Sequence, residues 1–198
     1  MMKTIVIATK NLGKAREYAE MLEPVGIQIR TLADFPEFSI NENGQTFEQN
    51  AFIKAQTAVK KLGLPVLADD SGLMVDYLQG APGVHSARYA GDHDDLANNQ
   101  KLLRELAGVD DLYRTAHFHT TIVGLKPNGA KLVAHGRVDG HILRNPQGEN
   151  GFGYDPLFYV DELGCAMATL TDEQKNAVSH RGRALTAFMK NFNDWWLQ

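Results

Sequence analysis

Leu64-Pro-Val-Leu-Ala-Asp-Asp-Ser-Gly-Leu-Met-Val-Asp76 is the stretch around which the rest of the chain arranges itself. An apolar run, Val66 to Ala68, meets two adjacent carboxylates, Asp69 and Asp70, then Ser71-Gly72, and resumes as Leu73 to Val75. The pattern predicts a buried strand that carries charge out to its mouth, with a turn at Ser71-Gly72. Side chains alternate across a strand, so the two carboxylates point to opposite sides and take different roles. One faces a cleft, and the other is held by the amides of the turn. Taken alone, Asp-Asp-Ser-Gly is simple turn chemistry, and only the other segments give it a further meaning.

A chain of 198 residues with 43% hydrophobic content fits one domain of ordinary size with a sizeable core and room for two lobes. Lys and Arg total 20 against 24 Asp and Glu, a formal charge of -4, which argues against a nucleic-acid backbone as main partner. Any phosphate it binds should be small. The single cysteine, Cys165, permits no internal disulfide and suits a reducing cytosol. Ile5-Val-Ile-Ala8 is too short for a signal-peptide core, and no apolar run approaches the length of a membrane span. The expectation is a soluble globular protein without repeats or linkers.

Residues 4–8 read as a buried strand, and Thr9-Lys-Asn-Leu-Gly-Lys14 follows it. Asn11 is a good N-cap for a helix that buries Tyr18, Met21 and Leu22 before Pro24 stops it. The loop thus joins a strand's C-terminal end to a helix N-terminus, where amides and dipole favour an anion, and Thr9, Asn11 and Lys14 add a hydroxyl, an amide and a charge. It is not a Walker loop, since Ala15 stands where Ser or Thr would bind the metal. On its own it is an ordinary capped helix. A short strand over 27–30 leads to a polar passage, 34–45, containing Glu37 and Glu42. Thr46-Phe-Glu-Gln49 reads as a capping box for a helix with Phe47, Ala51, Ala55, Ala58 and Leu62 on one face. Asn50 and Lys54 lie one turn apart on another face, for which solvent exposure is the plain reading.

Beyond the central strand, Gly80-Ala-Pro-Gly83 is turn chemistry, and Ser86-Ala-Arg-Tyr89 leads to a helix over 94–107 that buries Leu96, Leu103 and Leu106. These segments read as architectural, Arg88 set apart. Strands over 115–125 and 131–139 are joined through Pro127-Asn-Gly129, a hairpin signal that makes the sheet mixed. His117, His119 and His135 raise the question of a metal, but no Cys or carboxylate completes a ligand spacing, so they read as solvated or hydrogen-bonded. In Asn145-Pro-Gln-Gly-Glu-Asn-Gly-Phe-Gly-Tyr-Asp-Pro156, Phe152 stands between two glycines, either as a stacking platform for a flat ligand or as a core aromatic on a tight loop. Downstream, Ser179 is the expected N-cap of a helix with Leu185, Phe188, Met189, Phe192 and Trp196 on one face, which puts His180 and Arg181 at its entry.

Four stretches, taken together and in order, carry a resemblance. Ala8-Thr-Lys-Asn-Leu-Gly-Lys14, Ala68-Asp-Asp-Ser-Gly72 with Gly80-Ala-Pro-Gly83 and Ser86-Ala-Arg-Tyr89, Gly151-Phe-Gly-Tyr-Asp-Pro156, and Lys175-Asn with Ser179-His-Arg181 resemble the inosine/xanthosine triphosphate pyrophosphatases. No single motif decides this, but the set is specific and spans nearly the whole chain. Thr169 and Gln174 depart from the pattern, standing where a glutamate is frequent.

The resemblance implies an α/β fold with a long mixed central sheet flanked by helices, in two lobes with a nucleotide cleft between them. It also implies one domain over residues 1–198 and a homodimer, and cysteine usage sets the expectation of a cytoplasmic protein. The activity implied is hydrolysis of ITP, dITP or XTP to the monophosphate and pyrophosphate. Thr9, Lys10, Asn11, Leu12, Gly13, Lys14 and Lys54 would hold the triphosphate, and Glu42 and Asp70 would serve Mg²⁺. Asp70 would also accept the proton, with Asp69 and Lys14 completing the catalytic group. Ser71 would touch substrate, Phe152 would stack on the purine, and Gly153, Tyr154, Asp155, Lys175, His180 and Arg181 would line the base pocket. The chemistry suits these residue types, because lysines and helix amides neutralise a triphosphate while Mg²⁺ takes one or two carboxylates. A pyrophosphatase for modified pyrimidines, or a nucleotide-binding regulator without turnover, would share much of this pattern. Retention of Glu42, Asp69 and Asp70 speaks against the regulator.

Overall fold

The computed structural model describes residues 3–92 and 94–198. Its strands are β1 (Lys3–Ile7), β2 (Ile27–Thr31), β3 (Val66–Val75), β4 (Thr115–Leu125), β5 (Lys131–Ile142), β6 (Phe158–Val160) and β7 (Cys165–Ala166). They form one sheet in the order β2-β1-β3-β4-β5-β6-β7. Strand β1 pairs in parallel with β2 and β3, while β6 pairs antiparallel with β5 and β7, so the sheet is mixed as expected. The helices are α1 (Leu12–Leu22), α2 (Phe47–Leu62), α3 (Asp95–Glu105), α4 (Asp172–Val178), α5 (His180–Lys190) and α6 (Phe192–Leu197).

Contacts divide the chain into two compact units. The first holds the chain up to Asp70, with 120–136 and everything from Gly182 on. Alternation along β1 explains its two apolar layers. Ile5 and Ile7 pack with Tyr18, Leu22, Phe188, Phe192 and Trp195, whereas Val6 and Ala8 pack with the alanine stripe Ala51, Ala55 and Ala58 of α2. Phe188 lies so close to β4 that a Cβ on Gly124 would stand 2.6 Å from its ring, which explains a glycine in the middle of that strand.

The second unit comprises Ser71–His119 and Arg137–Arg181. Its core gathers Leu73, Val75, Leu102, Leu106, Phe118, Val138, Leu157 and Phe158. Buried Arg114 donates to the carbonyls of Ile142, Leu106 and Leu143 at 2.7, 2.9 and 2.9 Å, so its charge is solvated by backbone.

Three local expectations are corrected. Ser71-Gly72 is no turn. Strand β3 runs through it, Leu73 N donating to Ser86 Oγ at 2.9 Å, and the chain reverses only after Val75, where Gln79 and Gly80 take positive φ. In α3, Leu96 is 69% exposed and the buried face is Asn98-Leu102, continuing to Leu106. Asn98 takes the inward position because its Oδ1 accepts from Ala90 N (2.6 Å) and its Nδ2 donates to Ala87 O (3.3 Å), satisfying backbone that an apolar side chain would leave unpaired. The last helix breaks at Asn191 into α5 and α6, and Trp195 is buried in the core while Trp196 packs partly buried against it.

Among the described residues no group of three or more His, Cys, Asp or Glu side chains is arranged to hold a metal ion, the histidines included. His135 Nδ1 sits 3.1 Å from Thr121 Oγ1. His117 Nδ1 is buried without a hydrogen-bond partner. Burial, helped by Arg137 and opposed by Asp76 and Asp139, holds the His117 pKa below the usual 6.5. The folded chain therefore takes up this proton less readily than the unfolded one, so stability falls as pH drops through 6.5 and below. Urea midpoints measured on either side of that pH should fall less in His117→Gln than in the wild type. Identical losses in the two proteins would show that His117 does not contribute to the acid limb.

Candidate active site

In the first unit, side-chain caps shape the loop after β1. Thr9 Oγ1 accepts from Asn11 N at 3.1 Å and Asn11 Oδ1 from Lys14 N at 3.0 Å, so α1 opens where the sequence places its N-cap. Lys14 Nζ then reaches Asp69 Oδ2 at 2.8 Å. Lys10 does not join this group, because it pairs with Glu37 at 2.9 Å with both side chains exposed, and Leu12 is 82% exposed.

Asp70, on the other face of β3, meets α2. Asn50 Nδ2 donates to its Oδ2 at 3.0 Å, and Lys54 Nζ lies 3.4 Å from its Oδ1 and 2.7 Å from Glu42 Oε2. Asn50 and Lys54 are both buried, contrary to the plain reading of that helix face. Asn50 Oδ1 accepts in turn from Gly44 N at 2.8 Å, an approach so close that a Cβ on Gly44 would stand 2.7 Å from that oxygen. Thr120 Oγ1 donates to the Asp70 carbonyl at 3.2 Å.

Burial pushes the Asp70 carboxyl above the ordinary range, against Lys54, Lys14 and the Asn50 hydrogen bond, with Glu42 adding repulsion. For Lys54, burial opposes charge, but Asp70, Glu42 and Asp69 together outweigh it and keep the ammonium form. The result is a fixed carboxylate of raised basicity beside two lysines, which is what a proton acceptor near a polyanion requires. Glu42 and Asp70 are hard oxygen donors with one ammonium between them. Mg²⁺ takes such a two-carboxylate set when substrate phosphates and water complete its shell.

In the second unit, Asp155 Oδ2 accepts from Lys175 Nζ at 2.7 Å and from Phe152 N at 2.9 Å, with Asp155 and Lys175 both buried. Lys175 Nζ stands 4.3 Å from the centre of the Phe152 ring, and the Arg181 guanidinium 5.8 Å. Phe152 is only partly buried and is not among the buried core residues, which speaks against the core-aromatic reading. Arg181, 1% exposed, donates to Ser71 Oγ at 3.3 Å. His180 stacks on Phe118 with centroids 4.7 Å apart. Tyr154 is drawn into the unit's core instead, its hydroxyl donating to Ser86 O at 2.8 Å.

Gln174 serves α4 as a capping box, its Oε1 accepting from Thr171 N at 2.9 Å, which an amide does as well as a carboxylate. Thr169 Oγ1 donates to Ala166 O at 2.7 Å, so both departures from the family pattern satisfy local backbone.

The Ham1 family profile matches residues 5–191, a span that includes every residue of both clusters. The chain belongs to the Ham1 family. A dITP/XTP pyrophosphatase of Lactiplantibacillus plantarum is 58% identical over 98% of this chain and 96% of its own. One of Geobacter sulfurreducens is 52% identical over 98% of each. The solved HAM1 protein from Coxiella burnetii superposes with a TM-score of 0.87 at 44% identity, covering 98% of this chain and 100% of that one. The Staphylococcus aureus Ham1 protein gives 0.86 at 41%, covering 97% and 99%. The mixed α/β architecture of this Ham1 chain is therefore shared with solved relatives. Sequence reading missed Asn50 and Thr120, of which only Asn50 carried a local signal, one helical turn before Lys54.

Proposed function

We propose that this Ham1-family protein hydrolyses dITP, XTP and ITP to the nucleoside monophosphate and pyrophosphate. The observation that carries the reading is the buried Asp70 carboxylate, held by Asn50 and Lys54 with Glu42 and the Lys14-Asp69 pair around it. The names of the relatives support the same activity. In this reading the Thr9–Lys14 loop and Lys54 meet the triphosphate, and Glu42 and Asp70 hold Mg²⁺, which neutralises phosphate charge when bound. Asp70 takes the proton of a water whose oxygen bonds to the α-phosphorus as the bridge to the β-phosphate breaks and pyrophosphate leaves. Phe152 stacks on the purine, with Lys175 and Arg181 donating to its edge.

To this reading the family resemblance adds a homodimer and the single cysteine adds the cytoplasm, which sedimentation and cell fractionation test. No helix among the described residues is long and apolar enough to cross a membrane. The decisive experiment measures pyrophosphate release from dITP, XTP, ATP, GTP and a modified dUTP, with and without Mg²⁺. Metal-dependent turnover of dITP and XTP far above the others is expected. Preference for the pyrimidine would overturn the assignment.

A further inference from the structure

Helix α3 read as architectural, yet two of its side chains grip the residue that follows Phe152. Asp95 Oδ2 accepts from Gly153 N at 2.7 Å, and Asn99 Nδ2 donates to Gly153 O at 2.8 Å. The same Asn99 amide donates to Asp95 O at 2.9 Å, which ties the two to each other. Positions i and i+4 share a helix face, so one rigid surface holds the peptide groups on both sides of the Gly153 α-carbon. This face differs from the Asn98-Leu102 face that α3 buries in the core.

The loop needs such a grip. Gly151 and Gly153 have φ of +77 and +64, and glycines that reach this region freely also leave the chain many alternatives. At Phe152 itself, Asp155 Oδ2 accepts from Phe152 N at 2.9 Å, and Asp155 N donates to Phe152 O at 3.3 Å. Downstream, α3 supplies the second anchor through Gly153. With both ends fixed, the direction of the Phe152 ring beside Lys175 is fixed too. A stacking surface helps a flat ligand only when it is held at the right angle, and supporting hydrogen bonds on a helix achieve this better than a free loop.

We infer that Asp95 and Asn99 are positioning residues for the purine, orienting Phe152 through the peptide groups of Gly153. The inference rests on the stacking role of Phe152 in the reading above. The polarity of the pair is specific, because Asp95 must accept and Asn99 must donate. An Asn99→Asp carboxylate would face two carbonyl oxygens, those of Gly153 and Asp95.

The test compares KM and kcat for dITP, and inhibition by dIMP and by pyrophosphate, in the wild type, Asp95→Asn, Asp95→Ala, Asn99→Asp and Phe152→Ala. Base stacking is worth roughly 1–3 kcal/mol by alanine substitution, so partial loss of alignment should raise KM for dITP and the inhibition constant of dIMP by about 5–30-fold. This is expected of Asp95→Ala and Asn99→Asp, with kcat nearly unchanged. Pyrophosphate, which has no base, should inhibit all variants alike. Asp95→Asn retains an acceptor oxygen and should behave as wild type. Equal weakening of dIMP and pyrophosphate, or unchanged dIMP while Phe152→Ala weakens it, overturns the positioning role. If Phe152→Ala itself leaves dIMP unaffected, the stacking assignment has failed and the positioning role falls with it.

Discussion

Asp70→Asn should give a folded protein that no longer releases pyrophosphate. The substitution is nearly isosteric and removes only charge and basicity. Asn50 donates to Asp70 Oδ2, a bond that an amide oxygen can still accept, and Lys54 keeps Glu42 at 2.7 Å. Burial is the largest influence on Asp70, so a neutral amide is easier to bury than the carboxylate, and the melting temperature should hold or rise. Removal of a general base alone costs about 10²–10⁴-fold, and loss of a donor to the proposed Mg²⁺ would add to it. Asp69→Asn, which leaves Asp70 in place and loosens Lys14, should cost less. Wild-type pyrophosphate release by Asp70→Asn at saturating Mg²⁺ would remove Asp70 from the chemistry.

Discrimination between inosine and adenosine triphosphates should fall by about 10²-fold in the double variant Lys175→Met/Asp155→Asn. Hypoxanthine offers a carbonyl at position 6 and a protonated N1, whereas adenine offers an amino group and a bare acceptor nitrogen. Lys175 and Arg181 have only donors to present, so they suit the carbonyl and oppose the amino group. A site built on a specific hydrogen bond can discriminate by roughly 10⁴–10⁵-fold. Replacing Lys175 alone would strand a buried carboxylate, since Asp155 Oδ2 is 2.7 Å away, and the paired Asp155→Asn avoids that damage. Loss of one charged donor should lower kcat/KM for ITP by about 10²-fold while ATP, already rejected, changes little. Asp155→Asn alone serves as the control. Equal loss for ITP and ATP would mean that Lys175 does not read the base.

What the sequence made legible was local. The Asn11 cap, the alanine stripe of α2 and the turn at Asn128-Gly129 each depend on residues within a turn or two of one another, and each stands as read. Lys54 shows where this stops. Periodicity put it off the apolar face, but its burial comes from Asp70, 16 positions away, and from Glu42 in a preceding loop without regular structure. The turn expected at Ser71-Gly72 failed for a related reason. Turn propensity is local, whereas strand continuation is set by neighbouring strands and by Ser86. Asp95 and Asn99 left no trace at all, since the glycine they hold is 58 and 54 positions further along. The two clusters themselves were visible only as a set of motifs; none of their internal distances could be read from spacing.

The pairing of every charge in the first cluster bears on how a substrate is chosen. Two ammonium groups, Lys14 and Lys54, face three carboxylates, Asp69, Asp70 and Glu42, at contact distances. Such a group is close to electrically self-balanced and projects little positive field into the solvent, in a chain whose formal charge is already -4. In the reading proposed above, such a mouth draws polyanions only weakly from a distance before the divalent ion binds. The abundant nucleotides carry the same triphosphate as the rare damaged ones, and a strongly positive mouth would fill with them. A self-balanced mouth would leave more of the decision to contacts made after arrival, where the base differs.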